Sequence, residues 1–159
     1  MNVLKLVACI LLCESAGVFA AIFTARSVHT WYAELAKPWF NPPGWLFGPT
    51  WTILYALMGI ALYIVWKEEG PIKDKFPALI LFAVQLLFNA AWSFIFFGAR
   101  APLLAFIEIT ALWLLIAVTL FLFWRISTTA GYLLVPYLLW VAFAAILNYS
   151  IWKLNSDPV

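Results

Sequence analysis

Charged residues are scarce in this chain. Only 10% of its 159 residues are Asp, Glu, Lys or Arg, whereas 67% are hydrophobic and the mean hydropathy is +1.02. A soluble domain of this length cannot bury so much apolar surface, so the composition excludes a water-soluble globular protein. The basic residues are scattered along the chain, which gives no basis for nucleic-acid binding. We therefore predict an integral membrane protein, with the lipid bilayer as a partner.

Histidine and cysteine are also scarce, and their positions exclude most metal and catalytic sites. His29 is the only histidine, which rules out a bis-histidine haem site within one chain. Cys9 and Cys13 lie four residues apart in one apolar run, where they are poor disulfide partners and suit helix packing. The sequence contains no phosphate-binding loop and no CxxC motif. We predict no metal site and no required cofactor.

Long apolar runs are abundant. Each has about the twenty residues needed to cross ~30 Å of hydrocarbon. They predict an all-α transmembrane bundle of five helices, a single domain over residues 1–159, with its termini on opposite sides of the membrane. Lys and Arg divide almost evenly between the two sides, so the positive-inside rule gives no orientation. The predicted helices cover residues 3–25, 47–66, 76–97, 102–124 and 131–153.

The first run has two interpretations. Lys5 followed by apolar residues resembles a signal peptide. Glu14 in the middle of the run argues against cleavage and favours a retained helix. Small residues recur here at every fourth position, which lets another helix approach closely. This small-residue stripe consists of Cys9, Cys13, Gly17, Ala21 and Ala25.

The segment 31–51, between the first two runs, organises the chain. It contains four tryptophans, four prolines and two glycines. Proline lacks an N–H and pushes the preceding residue out of the helical region, so no long regular helix fits. The segment is too aromatic to be disordered, and long irregular connections are often lids or binding loops. We predict that it is an ordered cap over an internal ligand pocket.

Three of the predicted helices carry an aromatic side chain near a polar group or a small residue. Polar groups are costly in hydrocarbon unless they face the protein interior. A single Gln or Asn is more often a link between helices than a ligand contact, but three such sets favour a shared pocket. Glu14 and Glu108 stay open as protonated structural residues, partners of other polar groups or parts of a pathway. The three sets are Trp51 and Tyr55; Gln85, Asn89 and Trp92; and Trp140, Ala144 and Asn148.

Trp92, Trp113 and Trp140 lie well inside their runs rather than at the membrane interface. A buried indole requires a partner for its N–H group, and a flat ligand with carboxylates or carbonyls would provide one.

A second pattern lies near the end of the last run. Leu147, Tyr149 and Lys153 fit the loose spacing proposed for cholesterol contact. An interfacial anchor that closes the last helix is the favoured interpretation.

Together these motifs resemble the translocator protein family, whose members are also called tryptophan-rich sensory proteins or peripheral-type benzodiazepine receptors. The resemblance covers essentially the whole chain. It implies five helices around a pocket capped by the first loop, and a homodimer. It also implies binding of porphyrins, haem and isoquinoline or benzodiazepine ligands, with sterol binding in animal members. The motifs that carry it are residues 31–51, Asn89-Ala90-Ala91-Trp92 with Phe96-Phe97-Gly98, and Pro136-Tyr137-Leu138 with Trp140 and Leu147-Asn148.

The resemblance also implies roles for individual residues. Trp51 and Trp140 match two family tryptophans linked to porphyrin binding and to light-dependent porphyrin breakdown, so they are catalytic only if this chain degrades porphyrin. The short tail around Lys153 departs from the more basic tails of animal members, which favours a microbial member in a microbial cell membrane over a sterol transporter. The predicted ligand-binding residues are Tyr32, Pro42, Trp51, Tyr55, Asn89, Trp92, Trp140, Ala144 and Asn148.

Three functional classes stay open. The first is a membrane protein that binds tetrapyrroles and senses, transports or scavenges them. The second is an enzyme that degrades porphyrin with light and oxygen. The third is a structural membrane subunit without a ligand.

Overall fold

The computed structural model describes residues 2–156, except the side chains of Lys73 and Asp74. Five of its helices are long and apolar enough to cross a membrane, which confirms the predicted five-helix bundle. A short helix, α2, follows the first of them. The helices are α1 (Val3–Ser27), α2 (Trp31–Glu34), α3 (Phe47–Lys67), α4 (Ile72–Ser93), α5 (Pro102–Ile126) and α6 (Thr128–Leu154).

The start of α4 differs from the prediction. The predicted helix begins at residue 76, but the backbone is helical from Ile72, just after Pro71 in an extended conformation. The charge of the buried Lys75 is accommodated because its Nζ donates to the carbonyl oxygens of Trp66 (3.3 Å) and Glu68 (2.6 Å) at the end of α3. These carbonyls lie at a helix end and need donors from elsewhere.

The other helix ends extend a little beyond the prediction. Only Ser127, with φ −150° and ψ 119°, separates α5 from α6, whereas the predicted helices leave residues 125–130 between them. Gly131 permits this tight junction, since a Cβ there would lie 2.9 Å from the Cα of Trp124. At the other end of α5, Pro102 occupies the first turn, where its missing N–H costs no helical hydrogen bond. A π-helical turn, Phe94–Gly98, continues α4 towards it.

Contacts at the chain ends place the termini at opposite ends of the bundle. The backbone N–H of Asn2 donates to the hydroxyl of Tyr63, near the end of α3, at 2.9 Å. The side chain of Asn155 instead accepts from the N–H of Ala36 and donates to its carbonyl, both at 3.0 Å. Ala36 belongs to the loop after α1, so the C-terminal end of α6 lies beside that loop.

The small-residue stripe divides into two parts. Cys9 and Cys13 are buried in the core, and α3 packs closely against this half of α1. Ala21 and Ala25 are exposed on the single chain and line the cavity described below. Packing of this half against a helix of a second chain stays a prediction. Gly17 lies between the two halves.

Gly17→Leu is expected to lower the melting temperature in detergent. A Cβ at position 17 would lie 2.4 Å from Cε2 of Tyr55, so the larger side chain must displace that ring from the core. Overpacking of this kind costs about 1–3 kcal/mol. Val18→Leu is the control, because Val18 is 66% exposed. Equal melting temperatures for the two variants would contradict the contact between Gly17 and Tyr55.

Candidate ligand-binding site

A cavity of about 730 Å³ lies inside the bundle beneath the loop between α1 and α3. This volume is in the range of about 300–1,000 Å³ that is typical of small-molecule sites. The wall on α1 extends from Glu14 to Val28, which corresponds to about 21 Å at 1.5 Å per residue. The cavity is therefore elongated and runs from the middle of the membrane segment to the loop.

The loop is ordered by its own polar contacts. The hydroxyl of Tyr32 donates to Oδ1 of Asn41 at 3.1 Å, and Nδ2 of Asn41 donates to the carbonyl of Pro42 at 3.1 Å. Burial raises the pKa of Tyr32, so its phenol stays neutral and keeps this hydrogen bond at ordinary pH. The rings of Trp31 and Tyr32 pack edge-on against the ring of Phe96 in the π-helical turn, with centroids 5.7 and 6.1 Å apart.

Two tryptophans contribute to the aromatic wall. Trp51, in the first turns of α3, stacks on Tyr55 with centroids 5.5 Å apart and an interplanar angle of 28°. Trp140, on α6, packs against Phe47 at 6.0 Å and against Phe143 at 5.6 Å. Both tryptophans line the cavity. A flat ligand there would therefore meet aromatic surface from two different helices.

A buried hydrogen-bond network lies behind this wall. The Tyr55 hydroxyl donates to Oδ1 of Asn89, whose Nδ2 donates to the Tyr137 hydroxyl at 3.0 Å. The Tyr137 hydroxyl in turn donates to Oε1 of Gln85 at 2.8 Å. Both polar atoms of the Asn89 side chain are paired in this way, whereas Nε2 of Gln85 has no partner among the described residues. The network joins α3, α4 and α6. Sequence analysis did not select Tyr137, although its helical spacing from Trp140 and Ala144 would have placed it on the same face.

The indole N–H groups differ in their partners. Nε1 of Trp92 donates to Oδ1 of Asn148 at 3.0 Å, so this indole needs no ligand, contrary to the prediction. Nδ2 of Asn148 donates to the carbonyl of Pro102 at 2.8 Å. The buried Nε1 atoms of Trp113 and Trp140 have no hydrogen-bond partner among residues 2–156. Of these two indoles, Trp140 lies on the cavity wall and Trp113 does not.

Comparison with known proteins identifies the chain. A sequence model of the TspO/MBR family matches residues 9–153. The chain belongs to the TspO/MBR family. It is 47% identical to "Tryptophan-rich protein TspO" of Archaeoglobus fulgidus over 156 residues, which cover 98% of this chain and 100% of that protein. It is also 41% identical to the human "Translocator protein" over 149 residues, which cover 91% of this chain and 86% of that protein.

A third relative is the "Tryptophan-rich sensory protein" of Cereibacter sphaeroides, which is 42% identical over 125 residues and covers 79% of this chain and 77% of that protein. Membership of the TspO/MBR family, together with the five long apolar helices, establishes a multi-pass integral membrane protein. The archaeal and bacterial relatives are consistent with the predicted microbial source.

In this TspO/MBR protein all nine residues predicted to bind a ligand line one cavity. Their contact with a ligand stays a prediction. The cavity wall also includes residues that sequence analysis did not select, among them Ala21 and Ala25 of α1 and Lys37 of the loop. The small-residue spacing on α1 was the available signal, but we interpreted it as helix packing alone. The nine are Tyr32, Pro42, Trp51, Tyr55, Asn89, Trp92, Trp140, Ala144 and Asn148.

Only one of the three residues of the sterol pattern lines the cavity. Leu147 is buried and lines the cavity. Tyr149 instead packs against Phe106 at 5.1 Å, and the ammonium of Lys153 lies 5.1 Å from the ring centroid of Trp152. This arrangement is typical of an anchor at the membrane interface rather than of one continuous ligand contact.

The two intramembrane acids of this TspO/MBR protein have different surroundings. Glu14 lines the cavity, about 20 Å along α1 from the loop. Glu108 does not line it, and both of its carboxylate oxygens are buried without a partner among the described residues. Only Glu14 is therefore positioned to influence a bound ligand.

Proposed function

We propose that this TspO/MBR family protein binds a tetrapyrrole, either a porphyrin or haem, in the cavity beneath the loop. The observation that carries this proposal is that Trp51 and Trp140, on different helices, line the same apolar cavity of about 730 Å³. A planar ring against an indole gains about 0.5–1.5 kcal/mol per aromatic pair beyond the burial of its area. The same walls suit flat isoquinoline or benzodiazepine ligands, and no cofactor is required for binding.

Among the cavity-lining tryptophans, we propose the indole N–H of Trp140 as a directed polar contact for the ligand. Its Nε1 is buried and has no partner within the described part of the chain. A buried donor without an acceptor costs about 1–3 kcal/mol, so a carbonyl, carboxylate or ring acceptor of the ligand would be stabilised there. The Pro/Trp-rich loop keeps water from this contact.

The biological role that we propose is sensing, transport or scavenging of the bound tetrapyrrole, by a homodimer in the membrane. A second role, light- and oxygen-dependent porphyrin breakdown, is favoured by the position of the same two indoles on the cavity wall. In that role the porphyrin ring would be the net electron donor and dioxygen the acceptor, and the indoles would relay electrons and return to their starting state. Sterol transport has less support, because Tyr149 and Lys153 lie outside the cavity.

Trp51→Phe and Trp140→Phe are each expected to weaken porphyrin binding by about 0.5–1.5 kcal/mol, roughly two- to twelvefold, because phenylalanine keeps most of the packing but lacks the N–H. The rate of any light-driven porphyrin breakdown should fall by a larger factor than the affinity, because the easily oxidised indole ring is lost. The measurements are a protoporphyrin titration followed by tryptophan quenching and a time course of bleaching in light.

Trp66→Phe is the control, since Trp66 is 48% exposed at the opposite end of α3. An equal effect of all three substitutions would show that the site is misplaced. A spectral shift without breakdown supports binding alone, and a bleached product band supports the enzymatic role. If wild-type protein produces no spectral change at all, it has no tetrapyrrole site and a structural role is favoured.

A further inference from the structure

The charged side chains that line the cavity are separated along its length. Lys37 and His29 lie at the loop end, and Glu14 lies on α1. The distance along α1 from Glu14 to Ser27, where the helix ends, is about 20 Å. The cavity therefore has a cationic group only at its loop end, and the wall on α1 towards the membrane centre carries an acid.

The ammonium of Lys37 is held in place, and no carboxylate within the described part of the chain forms a salt bridge with it. Its Nζ donates to the carbonyl oxygens of Ala33 (3.2 Å) and Leu35 (3.0 Å), and it lies 4.8 Å from the ring centroid of Tyr32. An ammonium has three donors, so one is left for a further acceptor. Neither of its two hydrogen bonds involves a carboxylate, and its positive charge stays available beside the cavity.

We propose that Lys37 binds the acidic edge of the ligand and so sets the orientation in the cavity. The ligand class is a planar apolar ring with carboxylates on one edge, as in a porphyrin with its two propionates. The ring lies among the aromatic walls, the carboxylates point to the loop, and Glu14 disfavours the reverse orientation. This inference rests on the proposed tetrapyrrole function and adds to it a preference for the acid over its neutral ester.

The test compares protoporphyrin with its dimethyl ester, which has the same ring but no carboxylates. Wild-type protein in detergent is expected to bind the acid about three- to tenfold more tightly than the ester, because a hydrogen bond to a charged group adds to affinity even where solvent is close. Lys37→Met should remove this preference by lowering affinity for the acid more than affinity for the ester. Lys37→Arg should retain most of it.

Lys153→Met is a matched control, since it removes one positive charge at the same end of the bundle but outside the cavity. It should leave the preference intact. Equal binding of acid and ester by wild-type protein would overturn the role of Lys37 while leaving the tetrapyrrole site in place. Equal losses for both ligands in Lys37→Met would also overturn it, by showing that the lysine only orders the loop. Failure of both porphyrins to bind the wild type would overturn the tetrapyrrole function itself.

Discussion

Replacing Gly59 by leucine is expected to prevent the bundle from forming a stable, monodisperse protein in detergent. A Cβ at this position would lie 2.5 Å from Cα and 2.8 Å from the backbone N of Ile10, and 2.9 Å from the carbonyl oxygen of Cys9. Backbone atoms cannot rotate away as a side chain can, so the whole of α1 would have to shift. Because α1 also forms one wall of the cavity, the ligand site should be lost with the fold.

The size of this effect can be bounded. Overpacking a well-packed core costs about 1–3 kcal/mol, and a clash with backbone places Gly59→Leu at or above the upper end of that range. Gly48→Leu is the matched control in the same helix, because nothing lies within 4 Å of a Cβ there. The measurements are size-exclusion elution and the melting temperature in detergent. Similar melting temperatures for the two leucine variants would contradict the close approach of α1 and α3.

Asn89→Leu is expected to destabilise the protein and to weaken ligand binding together. The buried Asn89 side chain accepts from the Tyr55 hydroxyl and donates to the Tyr137 hydroxyl, and leucine can do neither. Each buried polar group left without a partner costs about 1–3 kcal/mol, although hydrogen bonds inside membranes have often measured nearer 0.6 kcal/mol. Tyr55 stacks on Trp51, so its release should loosen the aromatic wall.

Two further variants separate the network from simple loss of packing. Asn89→Leu leaves the Tyr55 hydroxyl without its acceptor. Adding Tyr55→Phe removes that hydroxyl and should restore part of the decrease in melting temperature. Gln85→Leu deletes one bond of the same network, but Gln85 does not line the cavity, so it should lower stability with little effect on porphyrin affinity. The interpretation fails if Gln85→Leu weakens binding as much as Asn89→Leu does, or if the double variant is no more stable than the single one.

Helical period explains why so much of the candidate site could be predicted. Residues three or four apart share a face, so Trp51 and Tyr55, or Asn89 and Trp92, were grouped without knowledge of their neighbours. The same period could not show which helix each face meets. The hydrogen bond from Trp92 to Asn148 joins residues that are 56 positions apart in the sequence, and the sequence offered no signal for it.

For the small-residue stripe, too, the sequence could not decide between two roles. Close approach of two helices and the wall of a cavity both require small side chains, and the spacing on α1 is the same for either. The structure separates them, because Cys9 and Cys13 are buried while Ala21 and Ala25 face the cavity. Similarly, the predicted third helix begins only after Lys75, whereas in the structure Lys75 lies within α4 and its ammonium donates hydrogen bonds to carbonyls at the end of α3.

The sequence by itself determined that this protein lies in a membrane, crosses it with five helices and carries an ordered loop, because apolar length and proline content act locally. Tertiary structure alone decided which polar groups are satisfied and which remain available. The N–H of Trp92 donates to Asn148, whereas the N–H of Trp140 has no partner among the described residues. That difference depends on how α4, α5 and α6 are rotated against one another, and rotation is set by contacts between distant parts of the chain.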